Sequence, residues 1–134
     1  MNLRINKKKF VYLVSPSKIT KDFYKNLNEV LKTDKVSFFQ LRLKNHSLKQ
    51  KISIGIKIKK ICKKNGVKFL INDDPRLALK LDADGCHLGQ NDMNISDAKN
   101  ILSNKILGVT CHNSINLARK AIKAKADYIA FGAF

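Results

Sequence analysis

Residues 69–92, FLINDDPRLALKLDADGCHLGQND, decide the fold, because two apolar strands flank one short helix there. Val67–Asn72 is rich in β-forming residues and predicts a buried strand. Asp74 and Pro75 are residue types that favour the N-cap and the first position of a helix. Asp84–Gly89 predicts the next strand. This order of elements indicates two parallel strands joined by a right-handed crossover.

The same alternation of short apolar runs and longer mixed segments extends toward both ends of the chain. We predict strands at Phe10–Ser15, Val36–Arg42, Val67–Asn72, Asp84–Gly89, Lys105–Thr110 and Asp127–Gly132. We predict helices at Thr20–Lys32, at residues 46–65, at residues 74–81, after an N-cap at Asn94 and from Asn113. This order fits either an open doubly wound sheet or a barrel, and periodicity alone leaves both open.

The second helix has an ambiguous pattern, because Lys51–Ile58 alternates apolar and polar residues as a strand does. A helix is favoured because apolar residues also recur at helical spacing, at Ile54, Ile58, Ile61 and Cys62. In the first and last helices the inward faces are predicted to carry Phe23, Leu27 and Val30, and Ile115, Ala118, Ala121 and Ile122.

The charge balance is strongly basic, with 27 Lys and Arg against 10 Asp and Glu, a formal net charge of +17. The basic residues are mostly lysines scattered along the chain, which indicates solvated surface rather than a nucleic-acid-binding face. The three cysteines form no CxxC motif and predict free thiols in a reducing compartment. No apolar segment approaches the length of a membrane span. We therefore expect a cytoplasmic protein without nucleic-acid or membrane partners.

Polar residues lie at the carboxyl ends of four consecutive predicted strands. They are Gln40, Arg42 and Lys44 at the end of the second strand, Asn72 and Asp73 at the end of the third, Asp92 just beyond the fourth, and Thr110 and His112 at the end of the fifth. Parallel α/β folds bind ligands at the carboxyl ends of their strands. These side chains are therefore expected to meet at one rim.

Gln40, Arg42 and Lys44 alternate with apolar residues, so all three are predicted to point to one face of the strand. The apolar set would pack on helices, which leaves the polar set facing the interior. Two cations and an amide on one face favour an anion-binding clamp.

Asp73 and Asp92 are candidate magnesium ligands, because Mg²⁺ prefers hard oxygen donors, one or two carboxylates together with substrate phosphates. Asp74 is better explained as a helix cap. The dipeptides Cys86-His87 and Cys111-His112 give little support for a zinc site. Adjacent strand residues point to opposite faces, so each dipeptide could offer one ligand at best. We expect His87 to be an interior residue with a hydrogen-bond partner, and His112 to lie near the rim.

Three motifs, QLRLK, FLINDDPRLALKLDADGCHLGQNDM and ILGVTCHN…ADYIAFGAF, resemble the thiamine phosphate synthase family in order and spacing. The resemblance implies a (β/α)₈ TIM barrel and a magnesium-dependent transferase. It would join a pyrimidine diphosphate to a thiazole phosphate and release diphosphate, so its partners would be small-molecule substrates.

The resemblance also implies a role for each matching position. It implies catalytic, diphosphate-binding roles for Arg42 and Lys44, substrate contacts for Gln40, Asn72 and Thr110, and magnesium ligation by Asp73 and Asp92. Thr110 stands where the family commonly has serine, which keeps the hydroxyl group.

One alternative activity and one expectation about length accompany this hypothesis. A thiazole tautomerase of the same fold would need a base such as His112 and no diphosphate clamp. The family's further site residues follow the sixth strand, whereas this sequence ends at Phe134. Residues 1–134 are therefore expected to form a single partial barrel of about six strands and five helices, which as an isolated fragment would be inactive.

Overall fold

Six strands and five helices alternate along residues 9–132, the part of the chain that the computed structural model describes. The strands are β1 Val11–Val14, β2 Val36–Leu41, β3 Lys68–Asn72, β4 Gly85–Leu88, β5 Ile106–Thr110 and β6 Tyr128–Ala130. The helices are α1 Phe23–Leu31, α2 Leu48–Lys64, α3 Pro75–Lys80, α4 Ile95–Leu102 and α5 Ile115–Lys123. Every predicted element is present, and residues 1–8 and 133–134 of the predicted single domain lie outside the described residues.

The six strands form one parallel sheet whose spatial order equals their order in the chain. A doubly wound sheet would instead reverse its strand order at a switch point. The sheet also curls, because the rings of Tyr12 in β1 and Tyr128 in β6 lie 5.6 Å apart between centroids. Five strand spacings in a flat sheet would separate β1 from β6 by roughly 24 Å. The order and the curvature are those of a barrel wall.

The two faces of the sheet carry different cores. The outer face packs against the helices through the larger core, which includes Phe39, Leu41, Phe69, Ile71, Cys86, Leu88, Leu107 and Val109. The inner face carries a small cluster of Phe38, Leu70 and Ile106, with Tyr12 and Tyr128 packed against it. Alternating residues of each strand separate into these two cores, as the pleat requires.

Gly108 makes room for Tyr128 on the inner face. The two residues are register partners in β5 and β6. A Cβ atom at Gly108 would overlap the phenol ring of Tyr128. The glycine therefore leaves room for the phenol ring of Tyr128, whose hydroxyl contacts the Tyr12 hydroxyl and His87 Nδ1 on the inner face.

Side-chain caps explain where several helices begin. Asp74 Oδ1 accepts a hydrogen bond from Leu77 N at 3.0 Å, and Asn94 Oδ1 accepts one from Asp97 N at 2.9 Å, which confirms both predicted caps. A reciprocal capping box joins Ser47 and Gln50 at the start of α2. This box fixes a helix through the segment whose alternation resembles a strand, as predicted.

Three local predictions are wrong. Ser114, not Asn113, caps α5, because Ser114 Oγ accepts from Leu117 N at 3.1 Å. Ile115 and Ile122 are 57% and 61% exposed, since the smaller alanines of α5 face the sheet. In α1, Val30 is likewise exposed and its neighbour Leu31 is buried.

The end of β2 also differs from its prediction, since the strand stops at Leu41 rather than Arg42. There the Arg42 backbone N–H donates to Ser15 Oγ at 2.8 Å instead of joining the strand ladder. Among residues 9–132, no helix has both the length and the apolar character that crossing a bilayer demands.

Candidate active site

The carboxyl ends of β2, β3, β4 and β5 meet along one rim of the curled sheet, because all the strands are parallel and sequential neighbours. Arg42 follows β2, Asp73 follows β3, and Asp92 lies in the loop between β4 and α4. Thr110 is the last residue of β5. These four predicted polar residues therefore lie along one edge of the sheet.

The Asp73 carboxyl group lies close to Asp92, Arg42 and Asn72 at this rim. Burial, together with the neighbouring Asp92 carboxylate, raises the pKa of Asp73 to about 6. The positive charge of Arg42 and a hydrogen bond from Asn72 act in the opposite direction. Two carboxylates this close repel one another when both are ionised, so the site favours either a shared proton or a cation.

The backbone holds Asp73 in an unusual conformation. Its φ angle is 68°, in the left-handed region, which asparagine and aspartate adopt more readily than other side-chain-bearing residues. Its backbone N–H donates to the carbonyl of His87 on β4 at 2.8 Å. The chain thereby turns sharply out of β3 and holds the carboxylate next to the β4 loop.

The loop after β4 positions Asp92. Asp92 Oδ2 accepts from the backbone N–H of Gly89 at 2.7 Å. A Cβ atom at Gly89 would lie only 3.0 Å from the same oxygen. Gln90 Nε2 donates to the backbone carbonyl of Thr110 at 2.6 Å, which ties this loop to the end of β5.

The donors at this rim suit magnesium better than zinc. Among the described residues no group of three or more histidine, cysteine, aspartate or glutamate side chains could hold a metal. Zinc usually takes three or four such ligands, whereas Mg²⁺ is commonly held by one or two carboxylates together with water and phosphate. Asp73 and Asp92, which lie close together beside Arg42, fit the magnesium pattern.

The three residues predicted as an anion clamp occupy different environments. Gln40 is buried on the inner face and donates to the Tyr12 hydroxyl at 3.0 Å. Arg42 is exposed, yet its charge reaches Asp73. Lys44 is exposed beyond the strand, and only its backbone, which donates to Ser17 O at 3.1 Å, is tied to a neighbouring segment.

The inner face contributes residues that the sequence analysis did not assign to the site. His87 Nε2 lies 2.7 Å from Thr110 Oγ1, and His87 Nδ1 lies 2.8 Å from the Tyr128 hydroxyl. The Tyr128 hydroxyl in turn meets that of Tyr12. The sequence held no signal for these contacts, because the faces of β1 and β6 can be matched to those of the other strands only once the pairing register is known.

Both Cys-His dipeptides behave as the strand geometry predicts. Cys86 faces the outer core while His87 faces the interior, where burial lowers the pKa of His87 to about 4. Cys111 is also buried against the helices, and His112 is exposed at the rim with φ 50°. All three cysteines are free.

A family model described as thiamine monophosphate synthase matches residues 11–134. The chain is 66% identical to a thiamine-phosphate synthase of Pelagibacter ubique over 132 residues, covering 98% of this chain and 63% of the relative. It is 45% identical to a thiamine-phosphate synthase of Fusobacterium nucleatum over 126 residues, covering 92% and 60%.

The chain also resembles a solved structure. The thiamine phosphate pyrophosphorylase of Pyrococcus furiosus matches with a TM-score of 0.83 and 30% identity, over 92% of this chain and 60% of the other. The chain thus spans 60–63% of the length of these three relatives.

Proposed function

The chain belongs to the thiamine monophosphate synthase family, and from this premise we propose that the protein is a thiamine phosphate synthase. It would couple an aminopyrimidine that carries a diphosphooxymethyl group with a thiazole phosphate. The observation that carries this proposal is the convergence of Asp73, Asp92 and Arg42 at one rim. A carboxylate pair beside a guanidinium suits a magnesium-bound diphosphate.

The reaction breaks one bond and forms one. The bond between the pyrimidine methylene carbon and the diphosphate oxygen breaks, and its electron pair leaves with diphosphate. The thiazole nitrogen then supplies the electron pair for a new carbon–nitrogen bond. Negative charge therefore develops on the leaving oxygen, where preorganised cations accelerate the step most.

The roles of the rim residues follow from that charge. Asp73 and Asp92 would hold Mg²⁺, which would supply positive charge beside the departing diphosphate. Arg42, and Lys44 if its side chain turns toward the rim, would bind the same diphosphate oxygens. Gln40, Asn72 and Thr110 would orient the pyrimidine ring. The three free cysteines agree with a reducing cytoplasm, where we place the enzyme.

The tautomerase alternative has less support. It would use a base such as His112, whose exposed ring and left-handed backbone give it no partner that fixes its orientation among the described residues. It also leaves the Asp73–Asp92 pair and its neighbour Arg42 without a role. The synthase uses all of them.

The proposal can be tested with an extended chain, defined as residues 1–134 followed by the part of the Pelagibacter ubique relative that lies beyond their aligned region. Incubation with Mg²⁺, the pyrimidine diphosphate and the thiazole phosphate should yield thiamine phosphate and one diphosphate per turnover, measured by mass spectrometry. A folded extended chain that isomerises a thiazole tautomer but forms no thiamine phosphate would establish the alternative instead.

A further inference from the structure

The loop between β4 and α4 has to hold Asp92 close to a group that repels it. The Asp92 carboxylate lies beside the Asp73 carboxyl group, and the two repel one another when both are ionised. Such repulsion favours movement of the loop away from β3. The position of Asp92 therefore depends on the contacts that restrain its loop.

The Asp92 side chain fixes the shape of its own loop. Its Oδ2 atom accepts a hydrogen bond from Gly89 N at 2.7 Å, which closes a turn. The backbone contact of the same turn, from Asp92 N to Gly89 O, is 3.5 Å long and therefore weak. Both contacts lie within the loop, so a fixed position of the loop relative to β5 needs a contact outside it.

Gln90 provides a contact of that kind. The ladder between β4 and β5 ends at the register pair Leu88 and Val109, one residue before Thr110. Gln90 Nε2 donates to the Thr110 carbonyl at 2.6 Å and so extends the connection between the two strands through a side chain. Gln90 is exposed, so the hydrogen bond, rather than burial, accounts for its orientation toward β5.

From this geometry we infer that Gln90 is a positioning residue, whose hydrogen bond to the end of β5 holds the Asp92 carboxylate at the magnesium site against repulsion by Asp73. The same bond joins the loop that carries a candidate metal ligand to Thr110, a predicted substrate contact at the end of β5. Gln90 acts through Asp92 and is not itself a ligand. This inference rests on the magnesium site of the proposed function.

Gln90→Met in the extended chain tests the inference, because methionine is similar in length to glutamine and has no N–H to donate. The Gly89 amide reports on the loop without any metal, since it donates to Asp92 Oδ2. Its hydrogen exchange, followed by NMR in metal-free buffer, should become about two- to tenfold faster, the range that the net strength of one hydrogen bond gives.

Metal binding gives a second readout that does not depend on activity. Mn²⁺ takes the same oxygen donors as Mg²⁺ and can be titrated against the extended chain without substrate, with detection by electron paramagnetic resonance. We expect its dissociation constant to rise by about two- to tenfold in Gln90→Met.

The matched control is Asn91→Ala, which changes the exposed neighbour of Gln90 in the same loop and keeps the donor to Thr110. Both readouts should keep their wild-type values in this control. The inference is refuted if Gln90→Met keeps the wild-type exchange rate at Gly89 or the wild-type affinity for Mn²⁺, or if Asn91→Ala changes both as much. If Gln90→Met does not fold, Gln90→Asn decides by the same criteria, because its amide is one methylene group too short.

The outcome is separable from the proposed function. Thiamine phosphate synthesis by the extended chain, together with an unresponsive Gln90→Met, would remove the role of Gln90 and leave the synthase. Faster exchange and weaker Mn²⁺ binding in Gln90→Met, in a chain that makes no thiamine phosphate, would remove the synthase and leave the role of Gln90.

Discussion

Asp73 and Asp92 determine the charge balance of the rim, because the Asp92 carboxylate lies beside the partly buried carboxyl group of Asp73. Burial in the first place, and the Asp92 carboxylate in the second, raise the pKa of Asp73 to about 6. A divalent cation between the two carboxylates would remove the repulsion. These two residues are therefore where magnesium dependence should be most sensitive to substitution.

We expect Asp92→Asn in the extended chain to raise the Mg²⁺ concentration for half-maximal turnover by about tenfold or more, a loss of about 1.4 kcal/mol in metal binding. The matched control is Asp97→Asn, an exposed aspartate in α4 whose backbone, not its carboxylate, joins the helix cap. Magnesium titrations of turnover measure both. An unchanged magnesium requirement in Asp92→Asn would contradict the assignment.

His87 should make folding stability depend on pH. Its folded-state pKa is about 4, below the ordinary 6.5, because burial disfavours the imidazolium more than the nearby Asp92 favours it. The other groups that face its ring, Tyr128 and Thr110, are neutral. The unfolded chain therefore binds more protons between pH 4 and 6.5, and stability rises with pH across that window.

The expected contribution of His87 is roughly 3 kcal/mol, fully present above about pH 6.5 and lost as the pH falls toward 4. Urea unfolding of the extended chain, compared with His87→Gln at each pH, isolates this contribution from the carboxylates. The difference in the free energy of unfolding between the extended chain and its His87→Gln variant should change with pH only between about pH 4 and 6.5. A difference that is constant from pH 4 to 8 would show that His87 is not held neutral by burial.

At the scale of elements, Gly108 in β5 decides whether Tyr128 of β6 can lie on the inner face. Gly108→Ala should destabilise the extended chain by about 1–3 kcal/mol, because the added methyl group overlaps the phenol ring. In a Tyr128→Ala background the same substitution should cost much less. Thermal and urea unfolding of the extended chain, of Gly108→Ala, of Tyr128→Ala and of the double variant measure these losses of stability. An equal loss from Gly108→Ala with and without Tyr128 would disprove the packing argument.

Local patterns predicted the elements well and predicted contacts between distant elements poorly. Asp74, Pro75 and Asn94 carry their own start signals, so α3 and α4 could be placed from the sequence. The cap of α5 was misassigned because Asn113 and Ser114 are both good N-caps, and only the hydrogen bond to Leu117 distinguishes them. Rim residues could be predicted because a parallel sheet brings consecutive strand ends together.

The hydrogen-bonded contacts of Tyr12, Tyr128 and His87 on the inner face could not be predicted in the same way. Tyr12 and Tyr128 stand 116 positions apart, and their contact depends on how far the sheet curls. Neither periodicity nor composition states that curvature. The resemblance indicated a barrel, but the contact between these two hydroxyl groups is evident only in the three-dimensional structure.

At the scale of the whole molecule, the described sheet has two edges, since β1 pairs only with β2 and β6 only with β5. Val11 and Val14 on β1 and Phe131 after β6 are exposed apolar residues at those edges. Unpaired apolar edges promote aggregation, and a closed barrel has none. A neighbouring strand on each edge would cover these residues.

We accordingly expect residues 1–134 expressed alone to be poorly soluble or partly unfolded and without synthase activity. The extended chain should unfold cooperatively and remain monodisperse. Thermal unfolding and analytical ultracentrifugation compare the two proteins. A cooperative, fully active 134-residue protein would show that the two edges need no covering strands.

Calorimetric titration of the extended chain with diphosphate tests most directly whether this rim is a magnesium–diphosphate site. We predict binding that requires Mg²⁺ and that weakens in Arg42→Ala by about 1.5–3 kcal/mol, the value of a hydrogen bond to a charged group. Binding of the thiazole phosphate should change far less. Diphosphate binding that is equally strong without Mg²⁺, or an equal loss of affinity for both ligands in Arg42→Ala, would show that the rim is not a magnesium–diphosphate site.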